Sequence, residues 1–279
     1  MLKVRCWVVS SLVMLGLVAS AASAQAATLV EHNVQPLGLT PNAGSPPEFG
    51  RCIKTVGGEF EDAGCTRVAG SPGGGYEWRP AFGGVAPLEK AGFTIAIKEG
   101  TVSMLETSSK TEMLCEGATA SGEYTGNKTV GKVVVTFTKC SAFEASCASS
   151  GAAAGTIVTH TLEGTLGIEE LGASPVENAI AEDLYPVGHS GAIAEFTCSG
   201  LPVKITGSLI APVPSNSMKP TVPIKFKASK GKQKPENFVG EPPDVLFTKV
   251  GAEGPLEQAG ETMTVNQSNE EKIEVNSVV

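Results

Sequence analysis

Val133-Val134-Val135-Thr136-Phe137-Thr138 is the stretch on which the fold turns. Six consecutive β-branched or aromatic residues suit a pleated, half-buried surface and lose side-chain freedom in a helix. Upstream, Thr125-Gly126-Asn127 are turn residues. Before them, Met113 and Cys115 share one face of a strand that runs through Gly117 and Ala120 to Tyr124. Further upstream Phe93, Ile95 and Ile97 alternate, Glu99-Gly100 turns, and Val102 and Met104 return. That pattern predicts a hairpin with Gly100 in the left-handed position of a bulged turn.

Downstream, Cys140 and Cys147 bracket six residues in a tight loop. Strands are expected over 156–161, 164–168, 193–198, 203–210, 222–228, 245–250, 262–267 and 272–278. Residues 176–184 read as a short helix, with Pro175 suited to its first position. The fold class is therefore all-β, an antiparallel barrel or a two-sheet sandwich. Two echoes raise an internal duplication as one reading, against chance recurrence in a Gly-rich chain. Leu88-Glu89-Lys90-Ala91-Gly92 returns as Leu256-Glu257-Gln258-Ala259-Gly260, and Cys115-Glu116-Gly117 as Cys198-Ser199-Gly200.

At the N-terminus, Lys3 and Arg5 precede an apolar run from Cys6 to Val18 and then small residues to Ala27. This is the order of an export signal, expected over residues 1–26 and cleaved after Ala24 or Ala26. The run falls short of the ~20 residues a spanning helix needs, so no transmembrane segment is expected after cleavage. Residues 27–86 follow as an extended lead-in rich in proline and a hairpin module bounded by Cys52 and Cys65, turning at Gly57-Gly58. The main β domain is expected over 87–279.

Loss of Cys6 with the leader leaves Cys52, Cys65, Cys115, Cys140, Cys147 and Cys198. An even set outside the cell reads as three disulfides, although six cysteines allow 15 pairings. Proximity favours Cys52–Cys65 and Cys140–Cys147, which leaves Cys115–Cys198.

The chain has 21 basic and 29 acidic residues, a formal charge of −8, and becomes more negative without Lys3 and Arg5. Nucleic acid is not an expected partner of such a surface. Aromatic residues are only 5% of the chain, so large rings contribute little to the core and disulfides offset part of the deficit.

Catalytic signals are sparse. His32, His160 and His189 lack partners at ligand spacing, and Asp62, Asp183 and Asp244 lie far apart, so neither metal nor cofactor is expected. His160, Asp183 and Ser190 occur in the order of a serine-protease triad, but within 30 residues and without a flanking motif. Ser229-Lys230-Gly231-Lys232 has Ser-x-x-Lys spacing, which acts only at the start of a helix and here falls in a lysine-rich turn. Glu pairs such as Glu169-Glu170 and Glu270-Glu271 read as solvated faces rather than as glycosidase carboxylates.

Two binding surfaces stand out. Tyr76 and Trp78 share a strand face and would either stack a glycan ring or anchor the N-terminal module on the body. Lys225, Lys227, Lys230, Lys232 and Lys234 form a basic cluster in an acidic chain. The cluster would grip an anionic wall polymer or protect a sheet edge from aggregation.

Four stretches carry a resemblance: residues 122–130 (GEYTGNKTV) with the following valine-rich strand, 195–200 (EFTCSG), 226–236 (FKASKGKQKPE) and 269–272 (NEEK). Over roughly residues 50–279 the chain resembles uncharacterised exported bacterial proteins. The resemblance implies a disulfide-linked β fold and brings no activity, substrate or site residue. The expectation is a secreted, non-catalytic extracellular or envelope-associated protein. The alternatives are a secreted hydrolase acting on glycan or peptide, and a structural envelope component.

Overall fold

The computed structural model describes residues 47–70, 73–84 and 87–278, so the expected signal and most of the lead-in lie outside the described residues. The described chain is almost entirely β. Its strands are β1 Glu48–Gly58, β2 Gly74–Pro80, β3 Gly92–Ile97, β4 Ser103–Thr107, β5 Glu112–Tyr124, β6 Thr129–Ala142, β7 Ala145–Ala148, β8 Ile157–Val158 and β9 Leu162–Glu170. They continue with β10 Ala179–Pro186, β11 Ala192–Cys198, β12 Leu201–Thr206, β13 Leu209–Val213, β14 Lys219–Ala228, β15 Gln233–Lys234, β16 Phe247–Val250 and β17 Leu256–Asn276.

The valine-rich run sits at the centre of β6, paired along its length with β5, with Ala120 opposite Val135 and Ala118 opposite Phe137. From that pair the ladders run both ways round a barrel. One way leads through β9 and β10 to β13; the other leads through β3 and β4 to β17 and then β14. Strands β13 and β14 lie side by side, and among the described residues no register joins them. Side chains close the wall there: Leu209, Ala211 and Val213 pack with Ile224 and Phe226. A second ring of ladders passes from β17 through β16, β12, β11 and β7 back to β6, forming a sheet folded over one end of the barrel.

The 21-residue β17 belongs to every part. It pairs with β16, β4 and β3 in succession along one edge, with β14 along the other, and with β1 near its end. The segment stapled by Cys52–Cys65 is thus tied into the same sheet through β1. Glycine permits the close packing inside the barrel at Gly122, where an added Cβ would strike the Phe93 ring and Val133.

Four local expectations are corrected. Residues 93–104 are not a hairpin, because β3 and β4 both lie between β5 and β17 and run in the same direction. Gly100 has the expected positive φ of 76°, but the turn it serves is a detour within one interrupted strand. Its closing bonds are Lys98 N–H to Thr264 O at 2.8 Å and Thr101 N–H to Lys98 O at 3.1 Å. The expected helix over 176–184 is a single 3-10 turn, Pro175–Glu177, followed by β10. Ladders on both edges of β10 satisfy its backbone and override the local helix signal.

The Gly57-Gly58 pair does not reverse the chain within the disulfide loop. Strand β1 runs on to Gly58 and takes as its partner β2, beyond Cys65, with a register shift between Lys54 and Gly58. The disulfides are Cys52–Cys65, as expected, with Cys115–Cys140 and Cys147–Cys198 in place of Cys140–Cys147 and Cys115–Cys198. Register is the reason: Cys115 faces Cys140 across β5–β6, and Cys147 faces Cys198 across β7–β11. The Leu-Glu echoes also fall in unlike places, one leading into β3 and the other opening β17.

Candidate functional site

The sequence-predicted aromatic pair lies in β2, opposite β1, with Cys52 paired to Trp78 and Lys54 to Tyr76. Both rings pack on the buried cluster of Cys52, Cys65 and Phe60. Trp78 Nε1 donates to Glu48 Oε1 at 2.5 Å, and Gly50 lies so close under the indole that a Cβ there would collide with it. These contacts all lie within the disulfide segment itself.

Lys225 and Lys227 are exposed on β14 and alternate with buried Ile224 and Phe226, as expected. Lys230 sits in the tight β14–β15 turn with φ 57°, where Ser229 and Lys232 exchange both backbone hydrogen bonds, so the Ser-x-x-Lys spacing opens no helix. Lys232 and Lys234 line a shallow polar groove together with Glu169, Glu170 and Glu236. These two lysines thus share the groove with carboxylates supplied by β9 and by the chain after β15.

A different site emerges inside the barrel. Three cavities lie in series, two apolar ones of about 110 and 50 Å³ and a third, partly polar, of about 30 Å³. Every strand that borders more than one of them meets them in the same order. On β17, Glu261 and Met263 line the first cavity, Met263, Val265 and Gln267 the second, and Gln267 and Asn269 the third. On β14 the order is Phe226, Ile224, Val222, and on β13 it is Leu209, Ala211, Val213. The period-two alternation of a strand puts each of these sets on one face, the barrel interior. The cavities are thus stacked along a single lumen, partitioned by Leu184, Val135, Phe226 and Met263 between the first and second.

The lumen has a polar group at each end. At the first cavity Ser103 Oγ donates to Glu261 Oε1 at 2.8 Å, and Glu261 N–H is fixed by Gln233 Oε1 at 2.7 Å. Burial raises the Glu261 carboxyl to about 7. Toward the third cavity Gln267 Nε2 donates to Tyr124 Oη at 3.0 Å, and Tyr124 Oη donates to Asn269 Oδ1 at 3.0 Å. Glu182, also facing this end, is raised to about 7 by burial and then by the charge of Asp183. Burial also pushes the Tyr124 hydroxyl well above the usual range. Near pH 7 both carboxyls are therefore partly neutral, and the walls between them carry almost no charge.

Asp183 follows Glu182 but points to the outer face, 4% exposed, with Oδ1 lacking a hydrogen-bond partner. Burial, and then Asp244, raises it to about 7. His160 is elsewhere, 3.7 Å from Glu195 on the outside of β11, and Ser190 is exposed in the turn after β10. The three do not assemble as a triad. His189 stacks on Tyr185 with ring centroids 3.7 Å apart. Among the described residues no group of three or more His, Cys, Asp or Glu is placed to hold a metal ion.

Sequence reasoning missed the lumen residues. The signal that marks them is a carboxyl in the inward phase of an alternating strand, as in Glu261-Thr262-Met263-Thr264-Val265. No family model, curated protein or solved structure matches the chain.

Proposed function

We propose that this is an extracellular, non-catalytic protein that holds a small apolar ligand in its barrel lumen. The observation that carries the reading is the pair of stacked apolar cavities, the first of about 110 Å³, inside the barrel. An interior hole of this size costs stability, because its lining loses dispersion contacts on one side. Carbon-lined cavities stay dry, and one of about 150 Å³ admits benzene or xenon. Three disulfides support an oxidising compartment. Export through a leader at 1–26, and kinship with exported bacterial β proteins, are part of the proposal.

Xenon provides the test, read at the methyl groups of Met113 and Met263 by NMR of the disulfide-intact chain. Both methionines line the first cavity, so both resonances should shift saturably. Unmoved methionine signals at high xenon pressure would remove the lumen as the site.

A further inference from the structure

The shape of the lumen narrows the ligand class. We infer that its occupant is a slender aliphatic chain lying along the barrel axis; this rests on the lumen reading above and goes beyond it. A compact ligand would fill the first cavity alone and leave the second and third without purpose.

The partitions between cavities are side chains rather than backbone. Met263, Leu184, Phe226 and Val135 stand between the first and second; Met263 and Leu184 are unbranched at Cβ, and a change of rotamer at these two would widen the passage. Along β17, Glu261 to Asn269 spans about 26 Å at ~3.3 Å per residue, the scale of an extended alkyl chain rather than of a ring. The wall between the polar ends offers no cation to hold an anionic headgroup mid-lumen. Small residues keep the middle open: Ala118 of β5 and Ala211 of β13, 4% and 2% exposed, face each other across the second cavity.

The experiment uses 1-alkanols from butanol to octanol, with benzene as the compact probe, titrated into the intact chain and followed at the methionine methyls. Affinity should rise about fourfold for each added methylene, as expected for complete burial of the added surface. Ala118→Val adds two methyl groups to the second cavity. It should abolish the gain for the longer alkanols while leaving benzene affinity within about twofold. Ala211→Val, from the opposite wall, should do the same and serves if the first variant does not fold. If benzene binds but affinity is flat beyond butanol, or the valine variants bind octanol like the parent, the axial chain is wrong and the lumen reading survives. If neither benzene nor any alkanol binds, both readings fall.

Discussion

Around the Cys52–Cys65 disulfide, Phe60, Tyr76 and Trp78 are crowded into a few turns of chain, whereas the far larger barrel encloses empty space. The module has little chain with which to build a core, so it relies on a staple and on large rings. The barrel has ample strand length and aliphatic side chains, yet at its centre Phe93 and Phe226 share the lining with the small Ala118 and Ala211 and leave a void between them. A shortage of aromatics does not account for this, since three of them serve one short disulfide loop. The difference teaches that the void belongs to the barrel's design and not to a deficient composition.

Core truncation should separate the two regions most strongly. Phe226→Ala removes the ring that borders both larger cavities, and should destabilise by about 3–5 kcal/mol in urea unfolding while joining them. A loss well below 1 kcal/mol would mean that the barrel interior is not packed around this ring.

Disulfide removal comes next. By loop entropy, replacing Cys147 and Cys198 with alanine should cost about 4 kcal/mol and replacing Cys52 and Cys65 about 3 kcal/mol. The module pair should also detach β2 locally, seen as faster amide exchange confined to residues 52–80. Uniform loss of protection would show that module and barrel unfold as one.

The pH dependence sharpens the contrast further, because the lumen buries carboxyls at both ends. Glu182 and Glu261 have folded pKa values of about 7 against 4.5 unfolded. Their folded forms hold protons that the unfolded chain releases, so stability is fullest below pH 4.5 and falls as pH rises towards 7. With about 1.4 kcal/mol per unit of displacement, a loss on the order of 2 kcal/mol for each carboxyl is expected between pH 5 and 7.5, about twice that for the pair. The double substitution Glu182→Gln with Glu261→Gln should flatten the curve. A curve as steep as the parent's would assign the effect to Asp183 and Glu274, which are raised in the same direction.

The smallest effect belongs to the module's polar anchor. Trp78→Phe keeps a ring on the disulfide and loses the bond to Glu48, for about 1 kcal/mol. A change in lumen occupancy on this substitution would break the separation drawn between the regions.

The strands were legible because alternation is local: Lys225 and Lys227 face out and Ile224 and Phe226 face in, just as the pattern requires. What escaped depends on partners remote in the chain. Residues 93–104 look like a hairpin until β17, some 160 residues later, lies along both arms. Cys140 and Cys147 are near neighbours in sequence, but each is paired by the strand on its other side. Glu169 and Glu170, which face the lysines, come from a strand about 60 residues earlier. The lumen had no motif to find, because its lining is gathered a few inward residues at a time from strands scattered along the chain.

The position of β17 bears on how the molecule is made. Every strand that pairs with it precedes it, so the ribosome releases β1, β3, β4, β14 and β16 before their common neighbour exists. Until the last strand joins the folding chain those edges lack their partner, and the long-range contacts that cover them form slowly. A chaperone that shields bare strand edges would therefore matter most during the synthesis of the final ladder.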